Sequence, residues 1–130
     1  MGFRYAIFHT CCHLLFVFLI SFILKLNFEY FLLVLIAQFA IDLDHLVFLR
    51  GKTLKEFLSI ITNFSKALNP PLHNFASLSL SLAGSFLIFT KVFFPIGIFS
   101  LSLFIHFLFD FLEDVLVFKM GIEHWKIGSR

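Results

Sequence analysis

Residues 95–118 read PIGIFSLSLFIHFLFDFLEDVLVF. An apolar run of this length, opening on Pro95, predicts a helix: proline is favoured in a first helical turn, and long apolar runs favour helix over strand. It is also about the ~20 residues that a ~30 Å hydrocarbon layer requires. Yet Ser102, His106, Asp110, Glu113 and Asp114 interrupt it. At 100° per residue these five fall on one continuous face. Such a stripe cannot point at lipid, so it predicts a helix that turns its polar side toward neighbouring helices.

Working outward, three more runs are similar: Tyr5–Leu24, Phe28–Leu49 and Leu72–Val92. Turn signals separate them, at Lys25–Asn27, at Gly51, at Asn69-Pro70-Pro71 and at Pro95. Of the 130 residues, 60% are hydrophobic, 14% charged and 22 are Phe. Soluble domains run near 45–50% apolar and about 25% charged, so a soluble globule is excluded. Disorder is excluded because the chain is too apolar. A disulfide framework is excluded because the only cysteines, Cys11 and Cys12, are adjacent. The expectation is an all-α polytopic membrane protein: one domain over residues 1–130, with four transmembrane helices at about 5–24, 28–49, 72–92 and 95–118. The first run is too long for a signal-peptide core and lacks a cleavage site, so it reads as a retained span.

Lys and Arg set an orientation for this arrangement. Arg4, Arg50, Lys52, Lys55, Lys66, Lys119, Lys126 and Arg130 fall on one side, and Lys25 and Lys91 on the other. Both termini, the loop at about 50–71 and the tail at about 119–130 are then expected in the cytoplasm, at the plasma (inner) membrane. Within that loop Leu54, Phe57, Leu58, Ile61, Phe64 and Leu68 recur at helical spacing beside lysines. The pattern predicts an amphipathic helix, lying either on anionic lipid or over the end of the bundle.

All four aspartates and five of the six histidines belong to, or border, the apolar runs. Ionisable groups are expensive there, at ~2.5–3.5 kcal/mol each on the insertion scale. His9 and His13 share a face of the first run, with Cys12 beside them. Gln38, Asp42 and His45 lie within about 60° of one another on the second, while Asp44 points elsewhere on a regular helix. His73 heads a stripe of Ser77, Ser81, Gly84 and Ser85 on the third. Under the four-span orientation His9, His13, Asp42, His106, Asp110 and Asp114 reach one leaflet from separate helices, with His73 at its surface.

Mixed imidazole and carboxylate ligands suit Zn²⁺, with Mn²⁺ or Fe²⁺ as alternatives, rather than Mg²⁺ or Ca²⁺. The candidate ligands leave room for one or two ions, the latter being the arrangement that clamps both oxygens of a phosphoester displacement. Hydrogen bonding between helices is the alternative use of any one of these residues. Glu113 and Asp114 read as solvated or as partners of the ligands. His124 and Trp125 read as an interfacial anchor, the serine stripe as a packing face, and Cys11 and Cys12 as bystanders open to palmitoylation.

An early His, then Asp42-Leu43-Asp44-His45, then His73 after a proline-rich loop, then His106-Phe107-Leu108-Phe109-Asp110, resembles the small membrane-bound metal-dependent hydrolases. Their order DxDH, loop His, HxxxD covers most of the chain. The candidate metal ligands are His9, His13, Asp42, His45, His73, His106 and Asp110, and the resemblance adds Asp44 to them, with Asp44 and His73 as candidate catalytic residues. That family is distantly similar to zinc-dependent phospholipase C and single-strand nucleases, which implies hydrolysis of a phosphoester or other ester, a lipid headgroup included. The sequence departs from the family before His73. A loop usually like His-Arg-x-x-x-His-Ser is here Leu68-Asn69-Pro70-Pro71-Leu72-His73-Asn74, without the first His and the Arg. Two other functions fit the same residues: a non-catalytic metal-binding scaffold, and a metal or proton transporter, which the apolar outer halves of the runs disfavour. Membrane lipid is the expected partner, and nothing in the sequence points to nucleic acid.

Overall fold

The computed structural model describes residues 2–41, 53, 55–56, 72–119 and 121–126, the side chains of 2–6, 123 and 124 excepted. Asp42, Asp44, His45 and nearly all of the loop at 50–71, with its amphipathic pattern, lie outside the described residues, as does the side chain of His124. Among the described residues four α-helices follow in order: α1 (Gly2–Ile23), α2 (Phe28–Ala40), α3 (Phe75–Ser85) and α4 (Phe94–Leu112). There is no strand among the described residues.

The junction of α1 and α2 is built by capping chemistry. Leu26 N–H donates to Ser21 O at 3.0 Å and Lys25 N–H to Phe22 O at 3.2 Å, a Schellman closure of α1. Lys25 takes the left-handed position that such a closure needs, at φ 50. Two residues later Asn27 Oδ1 accepts from Tyr30 N–H at 3.0 Å and starts α2. At the second junction, Asn74 Oδ1 accepts from Ser77 N–H at 3.0 Å and starts α3 directly after His73. A 3-10 turn, Phe86–Phe89, extends α3, and Pro95 in the first turn of α4 restarts the chain. Gly97 lets this hairpin close: a Cβ there would collide with the backbone of Leu87 and Ile88.

The four-span arrangement is corrected by these helix lengths. Among the described residues one helix, Phe94–Val117, is long and apolar enough to cross a membrane. The apolar helices Ile7–Ile23, Phe28–Ala40 and Phe75–Phe89 are shorter. At 1.5 Å per residue the 13 residues of α2 reach about 20 Å and the 11 of α3 about 16 Å, against ~30 Å of hydrocarbon. Apolar composition counts residues, whereas a span counts unbroken helix. The third run leaves the α-helical form after Ser85, where the chain tightens into the 3-10 turn Phe86–Phe89. The eight-against-two sorting of Lys and Arg, and the cytoplasmic termini read from it, lose their frame with the four spans.

Two apolar clusters hold the bundle. Val17, Ile20, Val34 and Ile98 join α1, α2 and α4 at one end. Ile41, Phe107 and Trp125 form the other, with Phe75, Leu78, Leu103 and Phe111 packed against them. Trp125 corrects the anchor reading: it is buried, its Nε1–H donates to Asp114 Oδ2 at 2.8 Å, and its ring meets Phe111 edge-on. Outside, Phe22, Phe28, Leu80, Phe89 and Val92 are largely exposed. The buried polar side chains are those of His13, Gln38, His73, Ser81, Ser102, His106, Asp110 and Glu113, among the described residues.

Candidate metal centre

The polar stripe of α4 meets α1 through two i,i+4 pairs. His9 and His13 lie one above the other on α1, and His106 and Asp110 do the same on α4, as helical period requires. His73 reaches the group from the turn just before α3, held there by the Asn74 cap. The structure thus gathers five of the eight candidate ligands named above: His9, His13, His73, His106 and Asp110. His73 is buried against Phe107 and Trp125.

Two triads that could hold a metal ion share Asp110: His9–His13–Asp110 and His73–His106–Asp110. Their spacings differ. His73 Nε2 lies 2.7 Å and His106 Nε2 3.1 Å from Asp110 Oδ2. The first is a hydrogen bond shortened by the carboxylate charge, and the second is an ion-pair distance. On the other carboxylate oxygen, Oδ1, His13 Nε2 is 3.5 Å away and His9 Nε2 3.9 Å away, while the two Nε2 atoms are 3.0 Å apart. Oδ1 is buried, and among the described residues it accepts no hydrogen bond. An ion with tetrahedral bonds of about 2.0–2.2 Å keeps its ligand atoms roughly 3.3–3.6 Å apart. The three observed separations bracket that spacing.

The outer ring nitrogens of both α1 histidines are occupied. His9 Nδ1 pairs with Glu113 Oε2 at 2.8 Å, and His13 Nδ1 with Gln38 Oε1 at 2.8 Å. A carboxylate or amide oxygen behind each imidazole is the usual support of a metal-bound histidine. With Nδ1–H donated outward, a neutral ring turns an Nε2 lone pair inward. Left so, His9 Nε2, His13 Nε2 and Asp110 Oδ1 would be three acceptors facing one another; a proton on one imidazole makes the 3.0 Å Nε2–Nε2 contact a hydrogen bond, and the same three atoms could instead hold a divalent metal ion. The donor set therefore fits a metal of the zinc class.

Gln38 was the least expected member. Glu113, expected either as solvated or as a partner of the ligands, is the second: it is 7% exposed and stands behind His9. It opens a single π turn, Glu113–Val117, closed by Phe118 N–H to Glu113 O at 3.0 Å, directly after the Asp110 turn. Its signal in the sequence was its place on the His106–Asp110 face. Gln38 is fully buried between α2 and α4. Asp114, on the same stripe, instead serves Trp125. Cys11 is exposed and Cys12 half-buried, both as free thiols. No protein-family model, no curated protein and no solved structure matches the chain.

Proposed function

We propose that this chain is a metal-dependent hydrolase working at a membrane, with a divalent ion held by His9, His13 and Asp110. The supporting observation is the meeting of three potential ligand atoms, His9 Nε2, His13 Nε2 and Asp110 Oδ1, 3.0–3.9 Å apart in a mostly buried site. Imidazole with carboxylate favours Zn²⁺, Mn²⁺ or Fe²⁺ over Mg²⁺ and Ca²⁺. Bound there, the ion supplies Lewis acidity and a water of lowered pKa.

The rest is the work of the chain's own residues. Glu113 and Gln38 orient the two α1 imidazoles. His73 and His106 hold Asp110 by Oδ2, which leaves Oδ1 facing the α1 histidines. Phe16 and Phe109 stack around His13 and keep bulk water from that side. The His9 side chain is 18% exposed against 1% for His13, so substrate enters from the His9 side. His73, carrying a proton on Nε2 toward Asp110, and Asp44 are the candidates for proton transfer.

The substrate class rests on the resemblance to membrane-bound metal-dependent hydrolases: a phosphoester or other ester, lipid headgroups included. Work at a membrane is supported by the exposed Phe22, Phe28, Leu80, Phe89 and Val92 and by the length of Phe94–Val117. The test is hydrolysis of bis(p-nitrophenyl) phosphate and of phosphatidylcholine vesicles by the purified protein, before and after chelation. The expected result is hydrolysis that chelation abolishes and Zn²⁺ restores. Absence of hydrolysis by metal-loaded protein on both, or hydrolysis indifferent to chelation, overturns the reading.

A further inference from the structure

Gln38 is polar, fully buried, and belongs to no pattern that marks a metal ligand. Its amide nevertheless has only one chemically sensible orientation. One end of it lies 2.8 Å from the backbone carbonyl of Ser102. A carbonyl oxygen only accepts, so the end facing it is the NH₂ group. The amide oxygen is then the end facing His13 Nδ1 at 2.8 Å. An amide oxygen also only accepts, so His13 Nδ1 carries hydrogen. In the neutral ring this leaves Nε2 as a lone pair, aimed toward His9 and Asp110.

We propose that Gln38 is a positioning residue: anchored on the Ser102 carbonyl, it sets the His13 tautomer and thereby presents the Nε2 lone pair to the metal centre. The anchor is itself fixed, because Ser102 Oγ–H donates to Val34 O at 3.0 Å and ties α4 to α2. Gln38 and Ser102 are fully buried and His13 is 1% exposed, so water does not compete for these bonds. Information therefore passes from a backbone carbonyl of α4, through a side chain of α2, to a ring nitrogen of α1. The value of this for metal binding rests on the metal reading above, whereas the tautomer itself does not.

Two measurements separate those levels. In the metal-free wild type, two-bond ¹H–¹⁵N correlation of the histidine rings should show His13 protonated on Nδ1 and pyridine-like at Nε2. A His13 protonated at Nε2 alone, or a ring exchanging freely between tautomers, overturns the proposal whether or not metal binds. The second measurement compares Gln38→Met with Gln38→Glu by Zn²⁺ competition titration and by thermal unfolding. Gln38→Met removes the acceptor behind Nδ1 and should weaken Zn²⁺ binding about 10–100-fold, the usual effect of losing such a partner. Gln38→Glu keeps an oxygen there and should bind within a few-fold of wild type. Stability should fall in the opposite order, because the introduced carboxylate would face the Ser102 carbonyl with no hydrogen to donate. If Zn²⁺ affinity instead follows stability, Gln38 is only a clamp between helices and the positioning role is wrong. Absence of Zn²⁺ binding by folded wild type defeats the metal reading and leaves the tautomer to the NMR result.

Discussion

His73 Nε2 and Asp110 Oδ2, 37 residues apart in sequence, meet at 2.7 Å inside the bundle. This bond joins the turn before α3 to the polar stripe of α4, and it decides which carboxylate oxygen faces the α1 histidines. A hydrogen bond to a charged group contributes about 1.5–3 kcal/mol. His73→Phe, which keeps the ring and removes the donor, should lower unfolding stability by about that amount and weaken Zn²⁺ binding. Denaturant titration in detergent with parallel Zn²⁺ competition measures both. Unchanged affinity would show that Asp110 is oriented without His73.

Trp125 is held on three sides, by Phe75, Phe111 and His73, and by the Asp114 carboxylate. Trp125→Ala should lower stability by about 3–5 kcal/mol, the range for a large aromatic removed from a core. Trp125→Phe retains most of the packing and loses the hydrogen bond, at about 1 kcal/mol. Thermal melts of both variants give the comparison. Equal melting temperatures for Trp125→Ala and wild type would return this residue to the surface.

Gly97→Ala tests the α3–α4 hairpin. The added methyl meets the Leu87–Ile88 backbone, which cannot step aside as a flexible side chain could. Overpacking of this kind typically destabilises by about 1–3 kcal/mol. Gly121→Ala is the control, since nothing lies within 4 Å of its added carbon. A neutral Gly97→Ala would mean that the 3-10 turn does not pack as described.

Lys25 stands where a glycine would be more comfortable, at φ 50 in the closure of α1. A non-glycine residue in that region is disfavoured by roughly 1–2 kcal/mol, part of which glycine gives back in unfolded-chain entropy. Lys25→Gly should therefore stabilise by about 0.5–1 kcal/mol, read from the same denaturant titrations. Destabilisation would mean that the Lys25 side chain makes an offsetting contact.

What could be read from residues alone divides along local and distant physics. The helical period placed His9 with His13 and His106 with Asp110, and the polar stripe of α4 announced an inward face. Turn signals at Lys25–Asn27 and Pro95 marked where the chain turns, because turns are made by neighbours in sequence. Run length misled, since the 3-10 turn after Ser85 ends α3 without lowering the apolar count of the run. Trp125 misled for a different reason: its burial depends on Phe75 and Phe111 arriving from elsewhere in the fold. The role of Gln38 was hidden because an amide has no metal chemistry of its own, and only the Ser102 carbonyl gives it direction.

The most direct test of the metal centre is elemental analysis of the purified, detergent-solubilised protein beside folded Asp110→Asn. This isosteric change retains the shape of the side chain and removes the charge between the four imidazoles. The proposed centre predicts a stoichiometric transition metal, zinc foremost, in the wild type after metal reconstitution, and its loss in the variant. Wild type that holds no metal after reconstitution, or Asp110→Asn that retains it, would contradict the centre described here.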